Sequence, residues 1–248
     1  MYICLMASVK TVYETLKDLT NKDQQGFVTV SMFNNFANLA QLKIYNRLFG
    51  QLKDAQRNLK AGFDRGRDKG LVKRVEEDLA VFAKRSDVPK DATSGKFLRE
   101  DSNIADLSRI ISITTAGDSL FSPSIRTPVE ICYDEEKIER ILISNISAPT
   151  SQFPVALISE DIEVFPSSIQ RIRVRYYKTP TAPVLAVTTT AGVETIDEGN
   201  STDFDLPDHY EDELIVEIAE MAGLNLRDGF VQQYAAGEQA QKQREQSF

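Results

Sequence analysis

SMFNNFANLAQLKIYNRLFGQLKDAQRNLKA, residues 31–61, carries the strongest periodic signal in the chain. Phe33, Phe36, Ala37, Ala40, Ile44, Leu48, Leu52, Ala55 and Leu59 recur every three or four residues, the spacing that gathers side chains on one helical face. The pattern predicts a helix on the order of 40 Å long, at about 1.5 Å per residue. A second stripe, Leu39, Leu42, Tyr45 and Phe49, lies beside the first, so apolar side chains cover more than one face of its first half. One small core rarely buries both. The surplus is expected to pack against a neighbouring copy, with Phe33, Phe36, Tyr45 and Phe49 as candidate interface residues; the alternative is the central helix of a monomer core.

Upstream, Val9, Val12, Tyr13, Leu16 and Leu19 place a shorter amphipathic helix from Ser8, a fair N-cap, to about Lys22. Gly26 breaks that pattern, and Phe27, Val28, Thr29 and Val30 read as a short extended lead into the long helix. Downstream, Gly62, Gly66 and Gly70 punctuate a patch over residues 53–74 that holds eight Lys or Arg against three Asp. It reads as a loop with charged shoulders, because neither spacing of a phosphate-cradling glycine loop is present. Residues 71–84 continue as a helix with Val72, Val75, Leu79 and Phe82 on one face.

Between residues 104 and 178 the texture changes to short β-like runs at 109–113, 129–133, 154–158, 162–165 and 171–177, with a short helix over 134–142. Ser159, Glu160 and Asp161 separate two of these runs closely enough for a hairpin turn. In the last run Ile172, Val174 and Tyr176 alternate with Arg171, Arg173 and Arg175, so three guanidinium groups are expected on one sheet face. Residues 194–228 contain twelve Asp or Glu and a single Arg, Arg227. Carboxylates such as Glu211, Asp212 and Glu213 are therefore candidate partners for the arginines across a subunit interface; a solvated sheet face is the plainer alternative, and nucleic acid a further one.

Residues 179–203, with Pro180, Pro183, Thr188, Thr189, Thr190 and Gly192, read as an extended linker able to reach a neighbouring subunit. A helix follows from Asp208 to about Ala222, acidic in its first turn and apolar at Leu214, Ile215, Ile218, Met221 and Ala222, with Gly223 as its stop. A final helix is expected from Asp228 through Phe230, Val231 and Tyr234 into a polar tail at 239–246. The whole reads as an α+β chain: an N-terminal helical region over 1–103, an inserted β-rich subdomain over 104–178, the linker over 179–203, and C-terminal helices with the tail over 204–248.

The 248 residues are 42% hydrophobic and 27% charged with a formal net charge of −8, a composition that suits a globular fold and argues against wrapping nucleic acid. No apolar run reaches the roughly 18 residues of a membrane span, and the short apolar stretch at Tyr2 to Met6 lacks the form of a signal peptide. Met6 reads as an alternative start. Cys4 and Cys132 sit in no metal or redox spacing, and His209 is the only histidine, so neither a metal site nor a His-based dyad has enough parts. Gly117, Asp118 and Ser119 do not make a nucleophile elbow, because Phe121 stands where the second glycine belongs. No cofactor motif and no catalytic set is found. A structural role is expected instead.

Three stretches then align in order: Phe36-Ala37-Asn38-Leu39-Ala40-Gln41 in the long helix, Val164-Phe165-Pro166 with Val174-Arg175-Tyr176-Tyr177-Lys178-Thr179-Pro180 closing the β-rich region, and Asp205-Leu206-Pro207-Asp208-His209-Tyr210-Glu211-Asp212-Glu213-Leu214. This order resembles virion structural proteins of tailed bacteriophages, in particular the ring or adaptor proteins in the head-to-tail connector of short-tailed crAss-like phages. The resemblance implies a homo-oligomeric ring, commonly of twelve copies, stacked below the portal among other connector and tail proteins. It further implies a location in the virion after assembly in the host cytoplasm, with DNA passing through the channel unbound. A nucleic-acid-binding module using the arginine-lined strand is the alternative function.

Overall fold

In the computed structural model, residues 6–21, 28–60, 66–101, 103–116, 126–190 and 193–226 are described. Expectations for Cys4, Gly26, Phe27, Gly62, the Gly117 to Ser119 segment, the final helix from Asp228 and the polar tail fall outside these residues. The chain is α+β and forms two compact units, one from Met1–Val81 with Pro180–Phe248 and the other from Phe82–Thr179. Among the described residues, no helix is long and apolar enough to cross a membrane.

The first unit is helical. Helix α1 (Val9–Asn21), α2 (Val30–Lys60) and α3 (Gly66–Leu79) come from the N-terminal part, and α5 (Glu211–Leu226) from the C-terminal part. The main stripe of α2 is buried as its spacing requires, with Phe33, Ala37, Ala40 and Ile44 at zero exposure. Tyr13 of α1 meets Phe33 edge to face at 5.0 Å. The second stripe is largely used within the same chain: Tyr45 and Phe49 are buried and stack edge to face at 4.8 Å, while Leu39 alone of that stripe is widely exposed. Helices α3 and α5 both pack on α2, which explains how one unit covers two of its faces.

Three glycines expected to interrupt helices do not. Gly66 and Gly70 lie inside α3, and α5 continues through Gly223 to Leu226. The burial of Val75 and Leu79 in α3, and of Ile218, Ala219 and Ala222 in α5, outweighs the ~1 kcal/mol that glycine costs a helix interior.

The stretch read as a free linker is instead folded onto α2. Strands β7 (Val187–Thr190) and β8 (Val193–Ile196) form an antiparallel hairpin, and Val184 bridges Thr202. Asn34 on α2 donates to the Leu185 carbonyl at 3.2 Å and accepts from the Leu185 N–H at 2.9 Å. Two turns further along the same face of the helix, Gln41 is fully buried; its amide donates to the Thr181 carbonyl at 2.7 Å and accepts from the Asp205 N–H at 2.8 Å. These two side chains satisfy backbone groups that a sheet would otherwise pair, so the return segment stays with its own chain.

The second unit is a six-stranded sheet in the order β1-β6-β2-β3-β4-β5, built from β1 (Ala83–Pro89), β2 (Leu107–Thr115), β3 (Pro128–Cys132), β4 (Val155–Ile158), β5 (Ile162–Phe165) and β6 (Arg171–Lys178). It begins at Phe82, where the sequence reading placed the start of the β-rich part at 104. Strand β1 pairs antiparallel with β6, Ala83 opposite Tyr177, so the chain enters and leaves the unit on neighbouring strands. All neighbours are antiparallel except β3 and β4, which run parallel and are joined through helix α4 (Glu135–Ile143), as a parallel pair requires. The Asp134 carboxylate caps α4, accepting from the Glu136 N–H at 3.0 Å.

Strand β4 is buried at every position because it has cover on both faces. Ala156 and Ile158 join the main core with Phe97, Ile113, Ile172, Val174 and Tyr176, while Val155 and Leu157 face Cys132 and Ile138 under α4. Tyr176 donates its hydroxyl to Asp106 at 2.7 Å and lies 3.2 Å from the Asn103 carbonyl. Burial, then the bond to Asp106, raises the Tyr176 phenol well above the ordinary tyrosine range; in the helical unit burial and the Asp78 carboxylate do the same to Tyr210. A phenol raised in the fold keeps its proton while the unfolded chain loses it. Stability is therefore expected to be full below about pH 10 and to fall as pH rises beyond it. Urea midpoints measured across alkaline pH check this, and the double variant Tyr176→Phe, Tyr210→Phe should show a flatter decline; an equally steep one contradicts the assignment.

Candidate functional site

The alternation of β6 is realised in the sheet: Ile172, Val174 and Tyr176 are buried, while Arg171 and Arg175 are exposed and Arg173 is half-buried on the opposite face. The register with β1 sets Asp87 opposite Arg173 and Arg85 opposite Arg175. Arg173 forms a two-pronged bond with Asp87, Nε to Oδ1 at 2.5 Å and Nη2 to Oδ2 at 2.6 Å. That bond first, and then the charges of Arg173, Arg171 and Arg126, hold the Asp87 carboxyl below its usual range against the opposing effect of burial. The result is a face with five arginines, Arg85, Arg126, Arg171, Arg173 and Arg175, around one aspartate.

The expected acidic partner is already engaged elsewhere. Eight of the twelve acids in residues 194–228 make bonds within the helical unit. Asp203 and Glu211 accept from the Val9 and Ser8 N–H groups at 2.9 and 2.8 Å, which caps α1 from a segment nearly 200 residues away. Ser8 Oγ, the cap expected from sequence, is a longer 3.4 Å from the Thr11 N–H. Glu217 pairs with Lys43 at 2.5 Å and Glu220 approaches it at 3.7 Å, while Glu213 pairs with Arg47. Glu198 pairs with Lys10 at 2.6 Å, Asp205 accepts from the Thr181 N–H at 2.7 Å, and Asp197 closes its own turn on Gly199 and Asn200. Of the three candidate acids, Glu211 and Glu213 are thus held inside the chain and Asp212 is exposed.

The aromatic candidates divide in the same way. Phe33, Tyr45 and Phe49 are core residues of the helical unit and have no surface to offer a neighbour; Phe36 is partly exposed. Among the described residues, the most exposed large apolar side chains lie in the β-rich unit, at Tyr133 just before α4 and at and beyond the end of that helix. Ile143 is 83% exposed, Ile146 97% and Phe153 76%. Ile146 and Phe153 border a shallow groove of about 530 Å³ floored by Ile141, Pro128, Pro154 and Val155. Sequence periodicity did not single out this surface: the short helix expected over 134–142 ends within one residue of the observed end, and Ile143, Ile146 and Phe153 lie at and beyond it, where no period assigns a face. The helix stops at Ile143, with Ser144 in extended conformation as its C-cap.

His209 stands in neither place. Its Nε2 lies 3.3 Å from Asp78 Oδ1, and Tyr210 donates to Asp78 Oδ2 at 2.8 Å. Burial lowers the Arg47 guanidinium beside this group, with Tyr210 and Glu217 acting the other way. The cluster ties the turn before α5 to α3 and α2, a positioning task. Among the described residues, no group of three His, Cys, Asp or Glu side chains could hold a metal ion. No protein-family model matches the sequence, and no curated protein matches it significantly.

Proposed function

We propose that this chain is a virion structural protein, one subunit of an oligomeric ring in a bacteriophage head-to-tail connector, where it links capsid to tail around the DNA channel and performs no catalysis. The observation that carries the reading is the exposed apolar stretch after α4: Ile143, Ile146 and Phe153 stand in water on a chain that is otherwise strongly charged. Water-exposed apolar groups of this size at one end of a sheet suit a surface that another protein covers. The order of sequence features shared with connector ring proteins supplies the rest, including the expectation of twelve copies, portal contact and a virion location.

Light scattering coupled to size exclusion, with negative-stain microscopy, tests the reading on the protein alone and mixed with the portal protein of the same phage. Ring-shaped oligomers are expected in at least one of the two. The triple variant Ile143→Asp, Ile146→Asp, Phe153→Asp should keep its circular dichroism spectrum and lose assembly, since three charges at a desolvated contact cost several kcal/mol. A wild-type protein that stays monomeric with and without the portal would sink the proposal.

A further inference from the structure

Among the described residues, the arginine face has no partner equal to its charge. Among the described residues, Asp87 is the one carboxylate bonded on it, and it engages Arg173. Arg85 and Arg175 sit directly opposite each other across the β1–β6 pair, an arrangement that is unfavourable unless an anion lies between them. Arg171 and Arg126 flank the same ground near Asp87. A second copy is a weaker source of that anion than its sequence suggests, because most of the acidic segment that charge balance would nominate is bonded within its own chain, to α1, Lys43 and Arg47 among others.

The rest of the unit gives these arginines no general excess to dissipate into. Residues 82–179 hold 13 Lys or Arg against 14 Asp or Glu, so the positive field is local to one sheet face rather than a property of the whole. Arginine alone is used at these five places. Its planar fork donates two parallel bonds to a phosphate, and it is less strongly hydrated than an ammonium group. Same-face residues on a strand are about 6.7 Å apart, so Arg171 to Arg175 present guanidinium groups over a track of about 13 Å along one strand.

We propose that the β1–β6 face, through Arg85, Arg126, Arg171 and Arg175, binds the phosphodiester backbone of nucleic acid without reading its sequence. Arg173 stays with Asp87 and positions the track. The bonds are charge-assisted contacts to phosphate oxygens, which fix position and carry no sequence information. Such contact is weak and salt-sensitive. The idea does not depend on ring formation, since every group it needs lies in one copy.

The test is fluorescence anisotropy with a labelled DNA duplex of mixed sequence and the full chain at about 50 mM salt, repeated as salt is raised. Binding is expected, falling with a log–log slope of about −0.9 for each phosphate neutralised. The variant Arg85→Ser, Arg171→Ser, Arg175→Ser replaces exposed side chains and leaves the Arg173–Asp87 bond. It should bind tenfold or more weakly and lose about two to three units of that slope. A second, scrambled duplex should bind equally. Three results would each overturn the proposal: no binding by the wild type, unchanged binding by the triple variant with an intact circular dichroism spectrum, or equal or tighter binding of a polyglutamate chain of matched charge, which would reassign the face to an acidic protein.

Discussion

Replacing Gln41 by leucine is expected to lower the stability of the helical unit by about 2–4 kcal/mol, a large effect for a swap that adds apolar surface to an apolar stripe. Gln41 has no exposure, and its amide closes both the Thr181 carbonyl and the Asp205 N–H. Leucine would fill the space and leave two backbone groups without partners, each carrying about 1–3 kcal/mol of desolvation cost. Asn34→Ala should cost less, because Asn34 is only half-buried and water can reach the groups it leaves. Urea unfolding followed by circular dichroism measures both. A Gln41→Leu protein as stable as wild type would show that the return segment is held by its apolar residues alone.

Phe33→Ala is expected to cost about 3–5 kcal/mol, because it opens a cavity where the ring is fully buried against Tyr13. Phe36→Ala, one turn away and partly exposed, should cost under about 2 kcal/mol. The comparison is informative because both residues belong to the same apolar stripe and read alike as interface candidates. Their denaturant midpoints should separate clearly. Equal losses would mean that Phe36 is buried in solution by something the single chain does not contain.

The elements of this protein were legible wherever the side-chain period was clean. The β6 run alternates Ile172, Val174 and Tyr176 with three arginines, and the sheet buries that set. Strand β1 was not legible, since Ala83–Pro89 shows one buried apolar residue, Val88, and carries Lys84, Arg85 and Asp87 besides. As an edge strand it needs charge more than alternation. Arg85 was therefore missing from the arginine set, and so was the opposition of Arg85 and Arg175 that gives the face its unbalanced charge. The exposed Ile143, Ile146 and Phe153 were missed for a different reason: they lie at and beyond the end of α4, where side chains follow no helical or strand period.

Local pattern thus settled the α+β class, the long α2 helix and the run of strands from β2 to β6, because backbone geometry imposes periods of 3.6 and 2 on any segment that buries one side. The assignment of partners came only from the closed chain. The acids of the C-terminal segment looked free and are bound to α1 and α2; the supposed linker is stapled by Asn34 and Gln41; the second stripe of α2 is covered by the chain's own helices. Each of the bonded pairings joins residues 140 or more positions apart. Such contacts exist only once loop closure has brought the two ends of the helical unit together, and no local spacing encodes which of many carboxylates or carbonyls will then lie within reach.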